Sequence, residues 1–365
     1  MKKAMLVFGT RPEAIKMCPV AHELKKRNIK TIVCVTGQHR EMLNQVLELF
    51  DLVPDYNLDI MKDNQDLFDI SVNILGRMKD VLSKVNPDIV LVHGDTSTGF
   101  IASLACFYYK IPVAHVEAGL RTHDLYSPFP EEFNRQAIDL IANYYFAPTI
   151  MARDNLILEG KNIDNIFVTG NTIIDTLNMT VKKDYGFPDI NWSDERRIIY
   201  LTLHRRESIG EPIRNILKAI RRILDTREDI EIVFPLHPNP RIREIAHNEL
   251  DTCDRVHMIE PVDVVASHNI ESICYLCLTD SGGVQEECAA LGKPTLVLRN
   301  NSERMEMVDE GIARLVGHNE EFIFDTVMEL LDNSQSYDKM AHSSQSYGDG
   351  KASIRIVDIV ETILA

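Results

Sequence analysis

Two blocks of alternation constrain this chain more than any other feature of it. Short apolar runs (AMLVF, KTIVCVTG, DIVLVHGD, IPVAHVEAG, YYFAPT and NIFVTGN) are separated by helix-length segments such as REMLNQVLELF, TSTGFIASLACFYYK and EEFNRQAIDLIA. Near-continuous apolar runs of strand length, with helices between them, imply parallel strands covered on both faces. The pattern breaks at KKDYGFPDINWSDER, a polar stretch holding the only Trp, and resumes with RIIYLTLH, DIEIVFPLH, VHMIEP, ICYLCLTD and KPTLVLR. The chain therefore reads as α/β, with two Rossmann-like doubly wound domains facing a central cleft. Residues 1–180 make the N-terminal domain and 190–350 the C-terminal one. Residues 351–365, in GKASIRIVDIVETIL, form a closing helix that can pack back towards the N-terminal domain.

With 365 residues, 45% of them hydrophobic, the chain can bury two substantial cores. Its 39 basic against 55 acidic residues leave a formal charge of −16, which argues against wholesale binding to nucleic acid or acidic membranes. An anionic ligand would need a locally basic pocket. The seven cysteines lie mostly in apolar runs, as reduced thiols of a cytosolic protein do. Cys274-x-x-Cys277 sits inside ICYLCL with no second such pair and reads as core packing. Zinc-like ligand spacing and an Asp-x-Asp clamp are both missing, so neither metal nor cofactor is expected. The N-terminal apolar run stops at Gly9, and no stretch reaches the ~18 apolar residues of a membrane span. A cytoplasmic protein without membrane insertion is the expectation.

In open α/β sheets ligands bind beyond the carboxyl ends of the strands, so the polar residues found there carry the functional reading. VFGTRPEAIK runs from a strand into a helix: Thr10 and Glu13 have capping-box spacing, and Pro12 suits the first turn. Arg11 in that turn, and Lys16 soon after, are cations near a helix end that already carries partial positive charge. An anion bound among them would account for both. DIVLVHGD ends in Asp95, a candidate acid or an ordinary helix N-cap. IPVAHVEAG brings Glu117 to the end of what reads as the adjacent strand, and a buried acid needs a partner. In SPFPEEFNR, Pro130 introduces a helix on which Glu131 and Arg135 stand four apart, as a surface pair or as part of the cleft.

The second half has an anion site of its own. ICYLCLTD runs into DSGG and then the helix VQEECAALG, so Ser281, Gly282 and Gly283 can offer backbone N–H groups at a helix start. A plain tight turn is the alternative. Glu286, one turn on, could accept from a ribose diol or be a solvated acid, and Arg304 could supply a cation. His204, at the end of RIIYLTLH beside Arg205 and Arg206, can move a proton near neutral pH. His237 in PLHPNP is similar, with a structural role slightly favoured. His22, His247, His257, His318 and His342 have no such setting.

With FGTRPEAIKM, TGQHREML, VHGDTSTGFIASLA, HVEAGLRT, SPFPEEFNRQ, TGNTIIDTL, HRRES, DSGGVQEE, LGKP and YGDGKAS in order from first strand to last helix, the chain resembles the non-hydrolysing UDP-N-acetylglucosamine 2-epimerases. The resemblance implies a GT-B-like fold, a homodimer, and UDP-GlcNAc and UDP-ManNAc as partners, interconverted for surface polysaccharide synthesis. It implies Asp95, Glu117 and Glu131 as carboxylates at the sugar and His204 as an aid to the leaving diphosphate. Arg11, Lys16, Ser281, Gly282, Gly283, Glu286 and Arg304 match positions that hold UDP, with Arg135 beside Glu131 and His237 a further binding residue. Gln38 and His39 match a region where many bacterial relatives bind an activating second UDP-GlcNAc, although Glu41 and Asn64 stand where Gln and Arg can occur. Ser267 and Met305 depart from the Phe and Pro usual in relatives.

Overall fold

The computed structural model describes residues 1–37, 40–62, 65–187, 193, 195–204, 209–300, 304–344 and 346–365, with the side chains of residues 40 and 41 left aside. Two compact units result. The first comprises Met1–Asn178 and Ser346–Ala365, the second Met179–Gln345.

The first unit is built on a seven-stranded sheet. Its strands are β1 (Lys3–Phe8), β2 (Lys30–Val35), β3 (Tyr56–Asn57), β4 (Ile89–His93), β5 (Val113–Val116), β6 (Tyr144–Ala147) and β7 (Ile166–Val168). They lie in the order β3-β2-β1-β4-β5-β6-β7, and every pairing is parallel. The chain winds outward from β1 to β3 and then returns to pair β4 with β1, in the register Val7↔Val92. That reversal is the sheet's switch point. Met5, Val7, Val90 and Val92 are fully buried and pack with Ile101, Ala102 and Ile138 from covering helices. Each such side chain contributes roughly 1.5–3 kcal/mol of burial. The last helix, Ala352–Leu364, belongs to this unit: Asp175 accepts from the backbone N–H groups of Ala352 (3.1 Å) and Ser353 (2.9 Å) at its start.

The second unit repeats the plan with β8 (Arg197–Thr202), β9 (Ile230–Pro235), β10 (Val256–Ile259), β11 (Leu276–Thr279), β12 (Thr295–Val297) and β13 (Ala313–Leu315). The order is β10-β9-β8-β11-β12-β13, again all parallel. Its switch point lies between β8 and β11, where Thr202 pairs with Thr279. The helix Glu211–Thr226 shows why the core forms: Ile213, Ile216, Leu217, Ile220, Ile223 and Leu224 fall at helical spacing and are all buried, one apolar stripe against the sheet. The sequence reading does not include β3 and β13. Neither lies in an apolar run that stands out from its surroundings, and only pairing with β2 and β12 makes them strands.

Candidate functional site

At the first switch point, β1 turns through Gly9 and Thr10 into the helix Arg11–Lys26. A Cβ on Gly9 would lie 1.9 Å from Thr36 Oγ1 and 2.5 Å from Thr98 Oγ1, so the close approach requires glycine. The capping box is present in both directions. Glu13 Oε2 accepts from Gly9 N (2.9 Å), Thr10 N (2.8 Å) and Thr10 Oγ1 (2.9 Å), and Oε1 accepts from Thr96 Oγ1 (2.7 Å). One carboxylate thus joins the β1 turn to the residue after Asp95. Burial pushes Glu13 up from 4.5 to about 7, against the pull of these donors. Arg11 is the first residue of the helix and is partly buried.

Lys16 is buried, and its ammonium is paired with the Glu117 carboxylate. The helix-end cation therefore has an acid against it from 101 residues away. Glu117 follows β5 directly, with φ +68°, an αL conformation uncommon for a non-glycine residue. Its Oε2 also accepts from Asn171 Nδ2 at 3.0 Å and lies 3.8 Å from His93 Nε2. His93 is pushed down to about 3, chiefly by burial and in spite of Glu117, so the ring is neutral at physiological pH. His93 and Asn171 were not singled out in the sequence. His93 closes an apolar strand, and its relation to Glu117 appears only once β4 and β5 are paired.

Asp95 is not a helix cap. Thr96 takes that role, accepting from Gly99 N. Asp95 Oδ2 instead lies 2.5 Å from Arg135 Nη2, and its carbonyl accepts from Asn134 Nδ2 at 2.9 Å. Arg135 is 2% exposed, which rules out the surface-pair reading, and it lies 3.4 Å from Glu132. Glu131 is the first residue of the same helix and is partly buried. Its neighbour Glu132 is committed to the loop before it, accepting from Thr122 N (3.0 Å) and His123 N (3.2 Å).

Beneath these acids His115 Nε2 donates to the Gly94 carbonyl at 2.7 Å, and Nδ1 lies 2.6 Å from Asp139 Oδ1. Arg121 Nη2 donates to Asp139 Oδ2 at 2.7 Å. Burial pushes Asp139 up, but His115 and Arg121 more than offset it and hold it below the ordinary value. This network fixes the turn that presents Asp95.

The second switch point gathers the other candidates. His204 follows β8 with its side chain exposed. Its backbone N–H donates to Asp280 at 3.1 Å, and its Nδ1 lies 3.5 Å from Asp280 Oδ1. Asp280 is wholly buried at the end of β11. It stands beside the His204 ring, and the sequence offered it only as the first letter of DSGG. Ser281 precedes the helix Gly282–Ala290 at the N-cap position, with no side-chain cap bond. A Cβ on Gly282 would lie 2.6 Å from Arg304 Nη1, so glycine lets the guanidinium lie over the helix start. Arg304 Nε donates to Glu286 Oε1 at 2.8 Å with both residues buried, so Glu286 is not a solvated acid. His237 Nδ1 accepts from Asn239 N at 3.1 Å, a local turn contact. Gln38, His39, Arg205, Arg206 and Asn64 lie outside the described residues, as does the side chain of Glu41.

Two parallel α/β units, each with charged residues collected where its strand order reverses, define a GT-B-like protein. The glycosyltransferase of kitacinnamycin, at 12% identity and a TM-score of 0.71, shares this fold. The family model for UDP-N-acetylglucosamine 2-epimerase matches residues 22–361, and the chain belongs to that family. It is 53% identical over 357 residues to UDP-N-acetylglucosamine 2-epimerase of Bacillus subtilis strain 168, covering 98% of this chain and 94% of that one. The structure of UDP-GlcNAc 2-epimerase from Neisseria meningitidis bound to UDP-GlcNAc is 46% identical, with a TM-score of 0.94 over 99% of this chain and 100% of that one. No helix among the described residues is long and apolar enough to cross a membrane.

Proposed function

We propose that this chain is a non-hydrolysing UDP-GlcNAc 2-epimerase that interconverts UDP-GlcNAc and UDP-ManNAc in the cytoplasm, as a homodimer, for surface polysaccharide synthesis. The C2 proton of the sugar is too weakly acidic for direct exchange. Its removal is therefore coupled to loss of UDP. A carboxylate takes the proton, the C–H pair becomes the C1–C2 double bond of 2-acetamidoglucal, and the C1–O pair leaves on the β-phosphate. UDP then adds back to C1 while a proton is delivered to the other face of C2. Such chemistry needs positioned acid/base groups and cations at the departing diphosphate.

Asp95 and Glu117 are assigned the proton transfers, with Glu131 the third carboxylate at the sugar. His204, with Asp280 beside it, assists the leaving diphosphate. Arg11, Lys16, Arg304 and the N–H groups of Ser281, Gly282 and Gly283 hold UDP, with Glu286, Arg135 and His237 completing the set. The single observation that carries the reading is that two acids at neighbouring strand ends are each held against a cation, Asp95 by Arg135 and Glu117 by Lys16. Both carboxylates are thereby held in fixed positions. UDP-GlcNAc in the related Neisseria structure supports the substrate, and the FGTRPEAIKM start supports the non-hydrolysing group.

The test is incubation with UDP-GlcNAc in D2O, followed by NMR. Reversible formation of UDP-ManNAc with deuterium at C2, without an acceptor, is the expected result. Irreversible release of free ManNAc would instead assign the hydrolysing reaction, and an inert substrate would refute the proposal.

A further inference from the structure

Lys16, His93 and Asn171 converge on one oxygen of Glu117, and the reaction above gives a task to Lys16 alone. Lys16, on the helix Arg11–Lys26, presents its ammonium to Oε2, and His93 Nε2, at the end of β4, lies 3.8 Å from the same atom. Asn171 Nδ2 donates to Oε2 at 3.0 Å. This asparagine lies between β7 and the helix Thr172–Thr180 and is buried. The facing of its amide is set locally. Oδ1 accepts from the backbone N–H of Ile173 at 3.0 Å, in the first turn of that helix, which leaves Nδ2 towards the carboxylate.

The turn that carries Asn171 is gripped by the last segment of the same unit. The Asn171 N–H donates to the Tyr347 carbonyl at 2.8 Å, and Arg355 Nη1 donates to the Thr169 carbonyl at 3.0 Å. Gly170 has φ +86° and Gly348 φ +95°. A Cβ on Gly170 would lie 3.0 Å from the Tyr347 carbonyl oxygen, and one on Gly348 would lie 3.1 Å from Gly170 Cα. The two glycines thus let two backbones touch where side chains would part them. One helical turn on, Asp175 accepts from the N–H groups of Ala352 and Ser353 and from the Ser353 hydroxyl. Thr176 Oγ1 donates at 2.7 Å to the carbonyl of Ile15, the neighbour of Lys16. The helix Thr172–Thr180 is therefore tied to the closing segment and to the helix that carries Lys16.

We infer that Asn171 is a positioning residue for Glu117, and that the closing segment Ser346–Ala365 holds it in place. The inference rests on the proposed epimerisation, in which Glu117 transfers a proton at C2. In that reaction Lys16 has two anions to serve, Glu117 and the departing diphosphate, so its hold on the carboxylate changes as UDP leaves and returns. Asn171 is neutral, and backbone groups pin it from both sides. Its hold does not follow the charge on the ligand. Lys16 answers the diphosphate while Asn171 keeps the carboxylate aimed through elimination and re-addition. Such aim matters, because misplacing a reacting group by about 1 Å can cost on the order of 100-fold in rate. The amide itself neither gives nor takes a proton.

The test compares the full-length wild type with Asn171→Asp and Asn171→Ser in steady-state epimerisation of UDP-GlcNAc across a range of pH. Asp keeps an oxygen for the Ile173 N–H and puts an acceptor where the donor was. Ser also keeps an oxygen but is too short to reach Glu117. Each is expected to lower kcat by roughly 10- to 100-fold with KM little changed. In Asn171→Asp the acidic limb of the kcat/KM profile should also move up by about one pH unit, because a second acid beside Glu117 makes it keep its proton to higher pH. A role in folding alone would leave that limb in place. Gly348→Ala, which alters no side chain of the proposed site, should lower kcat in the same way; if it fails to fold by circular dichroism, Arg355→Met is read in its place. Should one Asn171 variant fail to fold, the other carries the comparison. Wild-type turnover with kcat and the acidic limb unchanged in the Asn171 variants overturns the positioning role, and unchanged kcat in Gly348→Ala overturns the part given to the closing segment. A wild type inert towards UDP-GlcNAc refutes the reaction itself, and the inference with it.

Discussion

Glu13 offers a perturbation whose size can be worked from the structure. Its carboxyl is displaced from 4.5 to about 7 by burial, so between those values the folded protein holds a proton that the unfolded chain has released. Stability then falls as pH rises through this window and levels off above it. At about 1.4 kcal/mol per pH unit the whole displacement amounts to ~3 kcal/mol, about 2.5 of it between about pH 5 and pH 8. Glutamine mimics the protonated acid. Its carbonyl can accept from Gly9, Thr10 N and Thr10 Oγ1, and its amide can donate to Thr96 Oγ1 in place of the bond now received. Glu13→Gln should therefore gain on the wild type by ~2.5 kcal/mol across that range, on the order of 5–10 °C in melting temperature. His93, held neutral by burial with its value near 3, loses stability as pH falls below its unfolded value. That opposite slope is common to both proteins and cancels in the difference. Parallel thermal melts of the two proteins at both pH values measure the effect, and a difference that does not change with pH refutes the account.

Two further outcomes follow from the same turn and its partner strand. Lys16→Met leaves Glu117 buried without its cation and should cost ~3–5 kcal/mol in urea unfolding; adding Glu117→Gln should recover a large part of that loss, since the uncompensated charge is then gone. Gly9→Ala should cost ~1–3 kcal/mol in the same assay, because its new Cβ would collide with the Thr36 and Thr98 side chains, and a variant as stable as wild type would contradict the close packing described.

How much could be read in advance depended on the range of the interaction. The strand at AMLVF, the turn through Gly9 and the capping box of Thr10 and Glu13 involve neighbours within a few residues, and local patterns report them. Of the two readings of Asp95, the cap alternative falls because Thr96, one residue on, competes for the same role, and only the backbone path decides which of the two accepts from Gly99. The surface reading of Arg135 failed for another reason. Helical spacing gives the face on which a side chain stands, whereas what covers that face depends on the strand beside it.

By itself the sequence determined that there are two parallel α/β sheets, and that Gly9, Asp95, Glu117, His204 and Ser281 stand where strands end, because periodicity and turn chemistry are local properties. Tertiary structure decided the pairings: Lys16 with Glu117, Arg135 with Asp95, His204 with Asp280, and Asn171 with Glu117. Those partners are separated by between 40 and 101 residues in the chain. They meet because the strand order reverses at β1/β4 and β8/β11, or because strands of one sheet bring their carboxyl ends together, and no local pattern encodes which distant side chain will occupy the space opposite.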